Sequence, residues 1–305
     1  MGRFETVDGL LLLNKPAGLT SNQALQRVRR LLRAKKAGHT GSLDPAATGM
    51  LPLCFGEATK VCAFLLDADK TYRVTARLGT ATDTGDADGK QIASAEVPAL
   101  SADEWGGILE GFLGQSTQVP PMYSALKKEG KRLYELARKG EVVEREPRPI
   151  RIDEIELLEA AGKRLVFRVT CSKGTYVRSL VEDIAGKAGT VAHTARLHRE
   201  AVGTFKAADM LDLGNLDAVS DVSADEVKER LLPPDMALEA FPAVVLDEAG
   251  SARFSSGQEI PAPQEAPEGL VRVYGAANEF HGVGELLKGG RLAPKRVFRT
   301  SEKNS

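Results

Sequence analysis

The sequence predicts an α+β chain that ends in a small β-rich part. Three observations lead there: strict apolar alternation over 71–78 and 165–171, helical spacing over 25–32 and 177–184, and short apolar pieces broken by Gly and Pro after residue 243. At 305 residues the chain is long enough for about two domains with full cores. Hydrophobic residues at 42% and charged residues at 27% are ordinary globular values, which exclude wholesale disorder, collagen-like repetition and coiled coil. No apolar run approaches the roughly 18 residues of a membrane span, and the start MGRFETVDG carries no apolar stretch before a cleavage site, so the expected compartment is the cytoplasm. Cys54, Cys62 and Cys171, odd in number and without C-x-x-C spacing, suit neither a disulfide framework nor a zinc site and are expected in the core.

In chain order, residues 9–13 (GLLLL) read as a short buried strand. Ser21 is placed to cap a helix whose Leu25, Val28, Leu31 and Leu32 share a face, with Gly38 as its stop. HTGSLDPAATGMLP, rich in Gly, Pro, Ser and Thr, reads as a structured loop followed by a buried helix over 58–66. In 71–78, Tyr72, Val74, Ala76 and Leu78 fall on one face and Thr71, Arg73, Thr75 and Arg77 on the other, as in a half-buried strand. Residues 101–113 read as a helix, and Val119-Pro120-Pro121 interrupts the chain before a basic segment. Leu165, Phe167, Val169 and Cys171 alternate, then SKGT turns the chain into a helix bearing Val177, Leu180, Val181 and Ile184. Ser223 with Glu226 forms a capping box for a short acidic helix that Pro233-Pro234 ends, and the domain boundary is placed there. The pieces 244–246, 270–274, 283–287 and 296–298 then suggest a small barrel or sandwich.

Net charge is −1, from 41 basic and 42 acidic residues, yet its distribution is uneven. Residues 9–43 contain no Asp or Glu but hold Lys15, Arg27, Arg29, Arg30, Arg33, Lys35 and Lys36, which together suggest a phosphate-facing surface. Residues 123–151 carry nine Lys or Arg against five Glu, and compensating acid lies in 209–229. Nucleotide-binding glycine loops, H-E-x-x-H and G-x-S-x-G are missing from the sequence. DTGDADG (83–89) has the wrong Asp spacing for a calcium loop, with Ser94 where a closing Glu would stand, and the four histidines are scattered. Neither a cofactor nor a metal is expected. What remains is Asp44 in the Gly-lined segment GSLDPAATG. As a pattern, Asp before Pro is a helix cap, whereas in an electropositive loop its carboxylate would have a lowered pKa and stay ionised, as a nucleophile must.

At this point several joint motifs become recognisable: GLLLLNKPAGLTSN (9–22), AGHTGSLDPAATGMLP (37–52), GEATK (56–60), DKTYRVTARLGTATDTGDADG (69–89), VPPMYSALKKEGKRLYELARKG (119–140) and CSKGTYVRSLVEDI (171–184). Through them the chain resembles the bacterial tRNA pseudouridine-55 synthases of the TruB family, and residues 269–298 look like the PUA-type RNA-binding domain that closes such chains. The resemblance covers nearly the whole length in order. It implies a pseudouridine-synthase catalytic domain, with a mixed or antiparallel sheet and a central cleft, over 1–235. It further implies a mobile RNA-gripping insertion at 119–151 and a PUA-like domain over 241–305.

The implied activity is cofactor-free isomerisation of one T-loop uridine in tRNA by a cytoplasmic enzyme that flips the base. It breaks the N1–C1′ bond, rotates the uracil and rejoins it through C5. By resemblance, Asp44 is the essential aspartate and Arg178 its arginine, able to hold it ionised through a bidentate pair. Tyr72 packs on the flipped base and assists proton loss from C5. His39 enters the T loop, and Tyr176 and Leu197 line the uracil pocket. Lys15, Thr40 and Gly41 are counted with the substrate-binding residues, Lys15 reaching towards the loop of the other two and buttressing the site. The implied partner is the tRNA T stem-loop, with no membrane and no protein partner, and the chain is expected to be a monomer. One departure stands in RLHREAVGTF (196–205): His198, Arg199 and Glu200 occupy places where the family pattern has two arginines and a threonine, which bears on phosphate affinity beside Leu197.

Overall fold

A computed structural model describes residues 4–128, 130–214, 223–263 and 268–299. Strand β1 (Gly9–Lys15) is buried on both faces, which explains an unbroken apolar run in place of alternation. Leu11 and Leu13 pack with Ala24, Leu25 and Val28 of helix α1 (Ser21–Leu31), while Leu10 and Leu12 enter a second core on the other face. Each fully buried leucine contributes about 1.5–3 kcal/mol. Thr20, one residue before the expected Ser21, caps α1: its hydroxyl accepts from Gln23 N at 3.1 Å and the Gln23 side chain returns to Thr20 N. Ser21 instead faces inward and bonds the backbone of Leu43.

Helix α1 ends well before Gly38, its expected stop, and Arg33 takes the left-handed conformation (φ 49°) just past its end. Gly38 belongs to β2 (Ala37–His39), paired antiparallel with β3 (Thr48–Phe55). The stretch read as one long loop is therefore two strands around a loop at 40–47. Burial of Gly49 through Phe55 within the sheet outweighs the turn-like composition of the segment. A 3₁₀ turn (Gly56–Val61) runs into α2 (Cys62–Asp67), splitting the helix expected over 58–66.

Strand β4 (Lys70–Leu78) is followed by the hairpin of β5 (Thr80–Thr82) and β6 (Gln91–Ser94). Helix α3 (Ala102–Glu110) starts at a Ser101–Glu104 capping box and seats Trp105 and Leu109 in the core. Strand β7 (Gly114–Gln118) leads into a small excursion with β8 (Lys127–Lys128), β9 (Lys131–Arg132) and α4 (Leu133–Ala137). Strand β10 (Arg148–Ala161) begins inside the segment read as an insertion, so residues 148–151 belong to the sheet. Then come β11 (Arg164–Cys171), α5 (Val177–Lys187) and β12 (Ala192–Val202). Ser223 and Glu226 form the expected box on α6 (Ala224–Glu229), and part of the acidic stretch 209–229 lies outside the described residues.

The main sheet runs β1-β3-β12-β4-β11-β10-β7, with β2 on β3. Its described pairings are antiparallel except one: β12 meets β3 in parallel through only two register pairs, His198 with Thr48 and Arg199 with Gly49. This short joint divides the sheet into two halves, and 40–47 is the loop that leads into it. One half packs against α3 and α5 around Phe167, Leu180 and Val181, and the other against α1.

The last part forms a five-stranded sheet from β13 (Ala243–Val245), β14 (Ile260–Pro261), β15 (Gly269–Tyr274), β16 (Phe280–Leu287) and β17 (Arg291–Val297), with Phe254 of α7 (Glu248–Ser255) in its core. Val283 and Phe298 also join the core on the outer face of β1. The GEATK segment bonds across this seam: Lys60 Nζ donates to Val297 O at 2.7 Å, and Glu57 accepts from Arg299 N at 2.8 Å.

Gly49 makes the parallel joint possible. Its φ is +100°, and a Cβ there would lie 2.3 Å from Arg199 O and 2.7 Å from Arg199 N. Gly49→Ala is expected to destabilise the chain by about 3 kcal/mol or more, read from the midpoint of urea denaturation. A midpoint equal to that of the parent protein would contradict this account of the joint.

Candidate active site

The loop 40–47 is pinned almost residue by residue. Thr40 N donates to Pro52 O at 3.1 Å, and Gly41 O accepts from Arg199 Nη2 at 3.0 Å. The Ser21 hydroxyl accepts from Leu43 N at 2.8 Å and donates to Leu43 O at 3.1 Å. Pro45 O accepts from Gly18 N at 2.9 Å and from Lys15 Nζ at 3.3 Å. No helix follows Pro45, so Asp44 caps nothing; a turn closed by Ala47 N on Asp44 O leads directly into β3. The Asp44 carboxylate is left to project from a rigid loop.

It meets Arg178 in the first turn of α5, Oδ2 to Nε at 3.1 Å. The expected bidentate fork gives way to a one-point pair because the other nitrogens are engaged. Nη1 donates to Thr84 O at 2.7 Å and lies 3.4 Å from Asp86 Oδ2, and Nη2 donates to Tyr123 O at 2.7 Å. Arg178 is thus a buried hub joining four segments. Asp86 escaped the sequence reading, which weighed its loop only as a calcium site. It accepts from the Thr84 hydroxyl and from Asp88 N, which aims its second oxygen at Arg178.

The electrostatics overturn one expectation. Although 46% of the Asp44 side chain is open to solvent, the protein surrounds it closely enough that desolvation is the largest effect and raises its pKa from 3.8. Arg178 and, less strongly, Lys15 oppose this, while Asp86 and Asp88 add to it. Lys15, the last residue of β1, has no exposed surface and donates to the carbonyls of Pro16, Leu19 and Pro45. Burial lowers its ammonium from 10.5 to about 8.

The remaining candidates surround this pair. Tyr72 lies on β4 with its hydroxyl pKa pushed up, chiefly by desolvation, and with both Arg199 and Asp44 near enough to act on it. Leu197, on β12 opposite Val74, packs against the core beneath α5. Tyr176 immediately precedes α5, and Gln118 holds its backbone at two points: Oε1 accepts from Tyr176 N at 2.8 Å and Nε2 donates to Tyr176 O at 3.1 Å. Gln118, the buried end of β7, carried no sequence signal. His39 ends β2, its pKa lowered by desolvation and then by Arg199. Thr40 is fully buried, and Gly41 takes φ +79° beneath Arg199.

The basic run 9–43 resolves into unlike parts. Lys15 is interior, Arg29 donates to the carbonyls of Ala34 and Lys35 at the end of its own helix, and Arg30, Arg33, Lys35 and Lys36 are exposed. The departures near Leu197 are accommodated locally: His198 Nδ1 bonds the Thr48 hydroxyl at 2.8 Å, and Glu200 pairs with Arg168 at 2.8 Å.

Comparison with known proteins agrees along the chain. Residues 29–177 match the family described as TruB family pseudouridylate synthase (N terminal domain), residues 178–239 the tRNA pseudouridylate synthase B C-terminal domain, and residues 242–298 Pseudouridine synthase II TruB, C-terminal. The tRNA pseudouridine synthase B of Nitrosococcus oceani is 47% identical over 298 residues, 97% of each chain. That of Pseudomonas fluorescens (strain Pf0-1) is 48% identical over 295 residues, 96% of each. Among solved structures, a chain of a Cbf5-Nop10-Gar1 complex superposes with TM-score 0.73 at 26% identity, over 95% of this chain and 85% of that one. One from an H/ACA RNP bound to a substrate RNA containing 2'-deoxyuridine gives TM-score 0.73 at 24% identity, over 96% and 86%, a likeness of fold.

Fold and sequence together define a pseudouridine synthase. Within that class, the chain belongs to the TruB family.

A carboxyl whose folded pKa lies above its unfolded value weakens the fold when ionised, an effect complete at neutral pH and absent once both states are protonated. Asp44→Asn is therefore expected to raise stability at pH 7, with the gain vanishing as pH falls below the ordinary value of 3.8. Paired urea titrations across pH check this, and a loss of stability at neutral pH would contradict it.

Proposed function

We propose that this chain isomerises the T-loop uridine of tRNA, position 55, to pseudouridine, with Asp44 as the nucleophile. The observation that carries the reading is a carboxylate on a pinned loop, 3.1 Å from the buried Arg178, in a TruB-family chain. Conversion of a tRNA uridine to pseudouridine is the activity of the family, named in relatives that match nearly end to end.

The chemistry asks for four things. The N1–C1′ bond must break, the uracil must turn, C5 must bond to C1′, and the C5 proton must leave while N1 gains one, so the RNA mass is unchanged. A partly desolvated carboxylate adds covalently to the nucleotide without an external reagent, and Arg178 opposes the protonation that burial would otherwise favour. Tyr72 and Tyr176 offer aromatic faces to an unstacked base, with Leu197 as an apolar wall; base stacking on an aromatic side chain is worth about 1–3 kcal/mol. His39, at the edge of the same loop, faces the RNA.

In this reading residues 1–235 form the catalytic domain, 119–151 grip the T stem-loop, and 241–305 form a PUA-like RNA-binding domain. The arginine hub supports a link between gripping and chemistry, since Tyr123 O shares the Arg178 guanidinium with Asp44. Among the described residues no helix is long and apolar enough to cross a membrane. A monomer acting on tRNA in the cytoplasm completes the proposal.

Tritium release from tRNA labelled at C5 of uridine tests it. Asp44→Asn is expected to cut release by at least about a thousandfold while tRNA affinity stays within about threefold. Unchanged release would refute the nucleophile. The exposed cations at and just beyond the end of α1 give a second test: replacing Arg30, Arg33 and Lys35 with Ala is expected to flatten the logarithmic salt dependence of tRNA binding by about two, at roughly 0.7–0.9 per phosphate contact. An unaltered slope would remove that face from the RNA interface.

A further inference from the structure

We propose that Arg199 is a positioning residue of the uridine site, closing the Asp44 loop at both ends and fixing Tyr72 opposite it. The inference rests on the reading of the preceding subsection. It concerns a residue whose neighbours in sequence suggested a phosphate contact, but whose side chain lies in the interior.

Arg199 is 1% exposed, among the most deeply buried large side chains of the chain, and an arginine is almost never fully buried without a partner. Among the described residues no carboxylate lies within ion-pairing distance of it. What it holds are two carbonyls: Nε donates to Met50 O at 2.6 Å and Nη2 to Gly41 O at 3.0 Å. Gly41 precedes Asp44 and Met50 follows it, so one planar group ties together the two ends of a ten-residue segment with the nucleophile inside. The backbone of Arg199 rests against Gly49 at the parallel joint, so the tie is anchored on both the main-chain and side-chain sides. Across the antiparallel pairing on its other side, Arg199 stands directly opposite Tyr72. The guanidinium charge lies close enough to the Tyr72 hydroxyl to act on it.

This arrangement is expensive. Lys15 and Lys70, both buried, each have their ammonium pKa lowered in part by the Arg199 charge. Two hydrogen bonds to carbonyls alone would not need a permanent cation in such company. A guanidinium supplies what neutral donors and lysine do not: several N–H groups in a fixed plane, able to hold Met50 O and Gly41 O from one rigid position beside Tyr72. A shift of about 1 Å in the loop or the ring would misalign nucleophile and base by enough to cost about a hundredfold in rate.

The test compares the parent enzyme with Arg199→Lys and Arg199→Ala in single-turnover C5 tritium release at saturating enzyme. Filter-binding affinity for tRNA and thermal midpoints are measured alongside. Arg199→Lys is expected to fold and to bind tRNA within about threefold of the parent, yet to release tritium about a hundredfold more slowly. Ethylguanidinium is expected to restore release at least tenfold in Arg199→Ala and to do nothing for the parent, a rescue that a lost fold would not show. Parent-like release by Arg199→Lys would overturn the proposal, as would a fall in tRNA affinity matching the fall in rate, which would mark a phosphate contact. Should Arg199→Ala fail to fold, Arg199→Lys decides. Absence of tritium release from the parent itself would instead refute the synthase reading.

Discussion

The parallel contact between β3 and β12 is the constraint around which the site is organised. It consists of two register pairs in an otherwise antiparallel sheet, and it requires a residue without a side chain at Gly49. Two half-sheets, each with its own core, meet there. The chain entering the joint is the 40–47 loop; β12 on its other side carries Leu197, and β4, paired antiparallel with β12, carries Tyr72. Asp44, Tyr72 and Leu197 therefore come from three chain segments that meet around β12.

Electrostatic balance follows from that geometry. Desolvation pushes Asp44 towards its neutral form, and Asp86 and Asp88 push the same way; Arg178 and Lys15 push back. Lys15 and Lys70 are themselves weakened as cations by burial, down to about 8 in each case. A guanidinium, with five donors in one plane, spans several acceptors at once. Division of labour between the two basic residue types is a physical consequence: arginines hold the site together, while the buried lysines tie up carbonyls at the ends of strands and helices.

Arg178 also connects regions that are far apart in sequence. Its guanidinium touches the Asp44 loop, the 83–89 loop and Tyr123 at the base of the basic segment. Gln118, at the edge of the same segment, grips the backbone just before α5. Residues at both ends of 118–123 are thus bonded to the start of α5, where Tyr176 and Arg178 sit. The C-terminal sheet is tied in more simply, through Phe298 and Val283 in a shared apolar core and the bonds of Glu57 and Lys60.

Local pattern was enough for several features. Alternation placed β4 and β11 on their correct faces, helical spacing placed α1 and α5, and the motifs around Asp44, Tyr72 and Arg178 carried the family. Each is a property of neighbouring residues, which is why it was legible. β2 and β3 were hidden because their turn-like composition is overruled by burial within the sheet, a force exerted by β1 and β12 from elsewhere in the chain. Asp86, Gln118 and Arg199 were equally hidden, since each acts on a residue 58 or more positions away. The rise in the Asp44 pKa reversed the expectation from sequence because charge can be counted along a chain, whereas desolvation exists only once the chain has closed around the group. Sequence alone determined the family and named candidate residues; tertiary structure decided what holds those residues in place and how their surroundings act on their charge, because those depend on distance and on the exclusion of water.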